Sequence, residues 1–154
     1  MPDTRLRILD TNTLSYIQRG QEPWISRLRS YPSEQRAVTV ISMEEQLRGR
    51  LAQVSRANQS SDFTRLIQAY ARLEEAVSFF NMVRVLSFDE AAVNRYRQLR
   101  KTHRRIGTND LRIAAIALGV NGVVAEFARI RAANVADFRP IQGLEIEDWS
   151  GGDD

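Results

Sequence analysis

Four acidic side chains occupy positions from which they could act together: Asp10 in RILDTNTLS, Glu45 in ISMEEQLRGR, Asp110 in GTNDLRIAAIAL and Asp137 in NVADF. Three of them stand at the heads or tails of successive strand-like and helix-like stretches, with the fourth near the next. In open α/β sheets, ligands gather outside the carboxyl ends of the strands, so a sheet would bring these acids to one edge. Carboxylates that converge repel one another, and a hard divalent cation relieves the repulsion. Mg²⁺ takes oxygen ligands and keeps several waters, which suits acids without His or Cys, and Mn²⁺ accepts the same donors. Such a site would activate water and stabilise the oxyanions of phosphodiester cleavage.

Composition narrows the alternatives. The chain has 154 residues and 43% hydrophobic content, enough for one domain with a real core, expected over residues 1–150 with a polar tail at 151–154. Cysteine is absent and His103 is the only histidine, so thiolate metal sites, disulfides and thiol nucleophiles are excluded. A zinc site rich in histidine and a triad of distant partners are disfavoured on the same grounds. No apolar run approaches the ~20 residues of a membrane span, and MPDTRLRILD lacks the apolar stretch of a signal peptide. The expectation is a cytoplasmic protein with no membrane partner. Of the 22 basic residues only Lys101 is a lysine, and arginine forks match phosphate oxygens bidentately. Arg48 and the run holding Arg97, Arg100, Lys101, Arg104 and Arg105 are the candidates for contacting a nucleic acid. A charge run is also what a solvated helix face looks like.

The elements that must position the acids follow from periodicity. Residues 6–9 read as a short strand ending at Asp10, and Thr11 or Asn12 caps a helix through Arg19, stopped at Gly20. A short helix fits 23–29, a buried strand 37–41, and a helix from Ser42 to about Ala57. Over 61–81, Phe63, Leu66, Ile67, Tyr70, Leu73, Val77 and Phe80 recur at helical spacing. Then come a strand at 83–86, a helix over 89–101, an apolar helix over 109–118 closed by Gly119, and strands at 122–124 and 144–146. Strands alternating with helices predict an α/β layer with a mainly parallel sheet.

Each acid also has a local explanation. Asp10 suits an Asx turn or a helix cap. Ser42 and Glu45 have the capping-box spacing, which recurs at Ser87 and Glu90, where no chemistry is suspected. Asp110 favours the dipole of the helix that begins beside it, and Asn134 with Asp137 fits a capped turn. Only the constellation goes beyond these readings.

In order along the chain, RILDTNTLS, ISMEEQLRGR, IGTNDLRIAAIAL and NVADFRPIQGLEIEDW resemble the PIN domain family, and within it the VapC-like toxins of type II toxin-antitoxin systems. The third stretch is the most specific, through Gly107, Thr108, Asp110, Ile113, Ala114 and Ala115. The resemblance implies a three-layer α/β/α fold with a central, mainly parallel sheet, and a Mg²⁺-dependent endoribonuclease. It implies as partners an RNA substrate, tRNA or another structured RNA, a VapB-like antitoxin, and a second copy of the chain in a homodimer. As site residues it implies Asp10, Glu45, Asp110 and Asp137, both catalytic and metal-holding, with Thr11, Asn12, Thr108, Asn109 and Asn134 as supporting polar groups.

One stretch departs from the family pattern. After Asn121-Gly122-Val123-Val124 comes AEFARIRAA, about five residues more than expected before Asn134, and helix-prone in composition. This helix-prone insertion, at about 125–133, motivates a second reading: a PIN-derived module that holds RNA or a protein without cutting it. A phosphatase with Asp10 as nucleophile is a poorer fit, because the second Asp such sites need two residues on is Asn12 here.

Overall fold

A computed structural model describes residues 2–126 and 141–149 of the chain. Its elements are β1 (Arg7–Leu9), α1 (Thr11–Gln18), α2 (Trp24–Arg29), a 3-10 turn (Ser33–Gln35), β2 (Arg36–Thr39), α3 (Val40–Asn58), α4 (Phe63–Met82), β3 (Arg84–Leu86), α5 (Glu90–Thr102), α6 (Thr108–Gly119), β4 (Val123–Glu126) and β5 (Glu145–Asp148). The strands form one sheet in the order β3-β2-β1-β4-β5, and every pair is parallel. β1 is central, with β2 on one side and β4 on the other, so the strand order reverses beside it, the usual place for a ligand crevice.

The side-chain alternation of strands divides the core into two layers. Ile8, Ala37 and Val124 pack with the apolar face of α6, including Leu111, Ile113 and Ala114, and with Ala92 of α5. On the other face, Leu9, Val38 and Ala125 meet Leu14 and Ile17 of α1, Trp24 of α2 and Phe80 of α4. This is the expected three-layer arrangement. Beyond the sheet, α3 and α4 pack on each other through Val54, Ala57 and Ala69. At the far edge Trp149 is fully buried, stacks on Tyr31 at 5.8 Å between centroids, and donates Nε1–H to Glu147 at 2.8 Å.

Several boundaries differ from the sequence reading. The second strand ends at Thr39, because the Thr39 hydroxyl accepts from the Ser42 amide and starts the helix at Val40. Val40 and Ile41 favour strands, yet Ile41 is placed in the core by the helix, so packing overrides propensity. The first helix is capped by Asp10 itself rather than by Thr11 or Asn12. Gly119 is the last residue of α6, and the left-handed turn falls on Asn121 at φ 50. The fourth strand runs to Glu126, two residues further than expected. In α4, Leu66, Leu73 and Phe80 turn inward, but Phe63, Ile67 and Tyr70 stay 76%, 69% and 51% exposed. The single apolar stripe read from the sequence is therefore two, one inward and one facing solvent, and a cluster of that kind marks a surface for a partner. The remainder of the insertion, with Asn134 and Asp137, lies outside the described residues.

Gly122 precedes β4 and runs close to β1: a Cβ there would come within 2.6 Å of Ile8 Cδ1 and 3.3 Å of its Cγ1. Ile8 is fully buried in a filled core, so Gly122→Ala should cost about 1–3 kcal/mol in denaturant unfolding. At Gly119 a Cβ would meet only the guanidinium of the exposed Arg95, which can swing away. Gly119→Ala should therefore stay within about 0.5 kcal/mol of the parent. Equal losses at the two positions would contradict the close packing of β4 on β1.

Candidate active site

Two adjacent strands turn into helices without an intervening loop, and this brings distant polar residues together. At the end of β1 the backbone N–H of Asp10 donates to Ala125 O at 3.1 Å, extending the ladder to β4 by one residue. Its carboxylate Oδ1 accepts from the Thr13 amide at 2.8 Å, and the residue is fully buried. Thr39 plays the corresponding part for α3. The first turns of the two helices then face each other, and Thr11 Oγ1 lies 3.0 Å from Ser42 Oγ and 3.5 Å from Glu45 Oε1. One assignment of protons satisfies both contacts: Ser42 donates to Thr11, and Thr11 donates to Glu45. One turn further on, the amides of Gln18 and Gln46 hydrogen-bond reciprocally, the Gln18 donor at 2.6 Å, and fix α1 to α3.

The third acid arrives on α6. Gly107 is the N-cap, and Asp110 falls in the first turn, where the unpaired amides favour a negative charge. A Cβ on Gly107 would lie 3.9 Å from Asp110 Oδ2, so the acid turns back toward the helix start. The preceding loop is braced by Arg100, which donates to Ile106 O at 2.9 Å and to Thr108 Oγ1 at 3.1 Å. Arg112 donates to Asn109 Oδ1 at 3.2 Å, which leaves the Asn109 amide NH₂ for its hydrogen bond to Glu45.

Glu45 is the meeting point of these groups. Burial, and after it the charge of Asp110, push its carboxyl above the ordinary glutamate range, while hydrogen bonds from Asn109 and Thr11 and the charge of Arg48 pull it down. Two acids 65 residues apart in sequence therefore bear on one another, with burial of Glu45 the larger cause of the rise. Among the described residues no group of three His, Cys, Asp or Glu side chains is placed to hold a metal ion. A pair such as Glu45 and Asp110 offers only oxygen donors, which suits a hard cation such as Mg²⁺, commonly held by one or two carboxylates together with waters and substrate phosphates, and suits thiophilic metals poorly.

Contacts thus link Thr11, Ser42 and Glu45, with Asn109 and Asp110 acting on Glu45, while Asp10 caps α1 beside Thr11, fully buried, and Asn12 follows in the first turn. Thr108 is engaged by Arg100 and opens α6. Neither match to the capping-box spacing is a capping box. Ser42 is the third residue of α3, fully buried and bonded to Thr11, and α5 is capped by Asp89 rather than Ser87. Ser42 is the site residue that the sequence reading placed in the wrong role. The signal for it was Thr39, a capping residue three positions earlier. Of the basic candidates, Arg48 pairs with Glu44, Arg100 is engaged in the brace, and Arg97, Lys101, Arg104 and Arg105 are exposed.

The raised Glu45 carboxyl carries a stability consequence. The folded protein holds that proton more tightly than the unfolded chain, so stability declines as pH rises through the unfolded value toward the folded one. In EDTA at neutral pH, Glu45→Gln should melt at a higher temperature than the parent, and the gap should close below about pH 4. Thermal denaturation across that range checks it. Identical melting of the two proteins at neutral pH would refute the crowding of Glu45 by Asp110.

Comparison with known proteins agrees with this architecture. A family model described as PIN domain matches residues 7–131. Ribonuclease VapC1 of Haemophilus influenzae (strain R2866) is 28% identical over 149 residues, covering 93% of this chain and 97% of the relative. Among solved structures, DNA-bound VapBC from Salmonella typhimurium has a TM-score of 0.68 at 24% identity, covering 94% of this chain and 98% of that one. VapBC-1 from nontypeable Haemophilus influenzae has a TM-score of 0.66 at 25% identity, with 95% and 99% covered. From the parallel five-stranded sheet to the acids at its edge, this chain belongs to the PIN domain family.

Proposed function

We propose that the protein is an endoribonuclease dependent on Mg²⁺, or on Mn²⁺ in its place, and the toxin component of a type II toxin-antitoxin pair. The observation that carries this reading is the charge of Asp110 bearing on Glu45, which Thr11, the residue after the buried Asp10, also touches. Membership of the PIN domain family and likeness to a relative named Ribonuclease VapC1 support it. The partners included in the proposal are a structured RNA such as tRNA, a VapB-like antitoxin and a second copy of the chain. Likeness to solved VapBC assemblies supports the antitoxin.

In this reading Asp10 and Asp110 would be the metal ligands, Glu45 would reach the ion directly or through a water, and Asp137 would be an outer ligand or orient water. What the ion supplies is Lewis acidity toward the phosphodiester and activation of the attacking water. The chain's own residues do the rest. Thr11 and Asn109 aim Glu45 by hydrogen bonds, and the Thr11–Ser42 contact holds the first turns of α1 and α3 at fixed separation. Attack of water on phosphorus breaks the P–O3′ bond and leaves a 5′-phosphate and a 3′-hydroxyl.

Induced expression of the wild type should arrest growth and degrade RNA, whereas Asp110→Ala should do neither. In vitro, Asp10→Asn is the cleaner variant, since Asn also caps helices and the fold keeps its N-cap. Either substitution should reduce cleavage by about a thousandfold or more, the scale of several kcal/mol of charge stabilisation. EDTA should abolish the wild-type reaction and added Mg²⁺ restore it. RNA left equally intact by wild type and Asp110→Ala would refute the assignment.

A further inference from the structure

Beside Glu45 lie two hollows whose charged lining, apart from Glu45 itself, is arginine. The first, about 220 Å³, is lined by Thr11 and Glu45 together with Arg19, Arg50 and Gln53. A second hollow, about 410 Å³, lies between α3 and α4, shares Gln53 with the first, and is lined by Arg56, Arg65 and Arg72. The shared wall makes a path from Glu45 outward along the helical hairpin. Arg65 and Arg72 are seven residues apart on α4, about 10.5 Å along the axis, which separates them enough to meet different phosphates.

Five cations line this path, and among the described residues none of them has a carboxylate within 4.0 Å. Arg50 shows the effect: burial, then the charges of Arg72 and Arg19, hold its guanidinium below the ordinary range, with only Glu75 opposing. Its Nε–H is buried and makes no hydrogen bond, and Nη1 has only a 3.4 Å contact with Gln53. Like charges gathered at this density are costly unless an anion joins them. The α5 run differs. Arg100 is spent on the loop before α6, and Arg97, Lys101, Arg104 and Arg105 line neither hollow.

We infer that the arginine-lined groove between α3 and α4 carries the sugar-phosphate backbone of single-stranded RNA as it leaves the site at Glu45. This rests on the ribonuclease reading above. A chain of phosphates satisfies several separated forks at once, as one small anion cannot. The preference for arginine follows, since its planar fork binds phosphate bidentately.

The test is fluorescence anisotropy in EDTA with a labelled single-stranded RNA of about 12 nucleotides, within the span of common single-strand sites. Arg56, Arg65 and Arg72 are all exposed, so Arg56→Ala/Arg65→Ala/Arg72→Ala should keep the wild-type melting curve. Its affinity should fall about tenfold or more, and the slope of log K against log salt should shrink by about 2, roughly 0.7 per lost phosphate contact. The matching lysine triple variant should keep the slope while losing part of the affinity. The control, Arg97→Ala/Lys101→Ala/Arg105→Ala, removes the same charge and should change neither quantity. Unchanged binding by the groove variant, or the loss appearing in the control instead, overturns the inference. So does wild-type binding of polyglutamate as tightly as RNA through the same arginines, which would assign the groove to an acidic protein segment. Cleavage assays with Mg²⁺ separate this from the ribonuclease reading. Groove-dependent RNA binding by a wild type that cuts nothing sinks that reading and upholds the groove. Cutting by the groove variant at unchanged KM does the reverse.

Discussion

The hydrogen bond between Thr11 and Ser42, 3.0 Å long, joins the first turns of two helices that spring directly from neighbouring strands. It exists because β1 and β2 are parallel and in register from Arg7 with Arg36 to Leu9 with Val38, so both strands end at one level. At that level each chain is turned by a side-chain cap, Asp10 for α1 and Thr39 for α3. Loops of ordinary length would let the two helices drift. With none, one sheet register determines where Thr11, Ser42 and Glu45 meet, and a slip of one residue would send Asp10 to the opposite face.

Having fixed these positions, the fold leaves an electrostatic problem in place. Glu45 is held where the charge of Asp110 bears on it. Burial raises the cost and the hydrogen bonds from Asn109 and Thr11 only partly offset it. Arg112 stands one residue removed, holding the Asn109 oxygen and packed over the rings of Phe88 and Tyr96 at 5.9 and 5.6 Å. Placed there, it orients the Asn109 amide. A site that was fully compensated internally would be more stable and would bind a divalent ion less well, the usual conflict between stability and function.

Element types were legible in the sequence because hydrophobic period reports them directly: the α6 stretch Leu111 to Ala117 is apolar nearly throughout and is buried nearly throughout. The parallel sheet followed from alternation of strands and helices; Asp10 was read from its place after a strand and Asp110 from the first turn of an apolar helix. Less legible was anything set by capping. Val40 and Ile41 favour strands, and a single hydroxyl at Thr39 overruled them by starting the helix early. This moved Ser42 from an expected cap into the buried polar contact with Thr11. The outward stripe of Phe63, Ile67 and Tyr70 was equally opaque, since helical spacing gives the period of an apolar face and not which face meets the core.

Arginine content raises a question of place that sequence position alone does not answer. The eye is drawn to the α5 run because its charges are consecutive, but consecutive residues on a helix point in different directions, and Arg100 turns inward to brace a loop. The groove arginines are scattered from Arg19 to Arg72 and converge only because α3 and α4 pack as a hairpin beside α1. What distinguishes the two sets is neither number nor density in sequence. It is where the guanidinium groups lie: the groove set lines the two hollows, and the α5 run lines neither. Arg7 is different again, buried among Asp3, Glu147 and the Tyr31 ring, and its charge is used up there. Arg50 is also partly buried but is surrounded by other cations, so its charge is left to act outward. A net charge of +3 conceals this division, because it sums cations consumed by the fold with cations that the fold leaves lining the hollows beside Glu45.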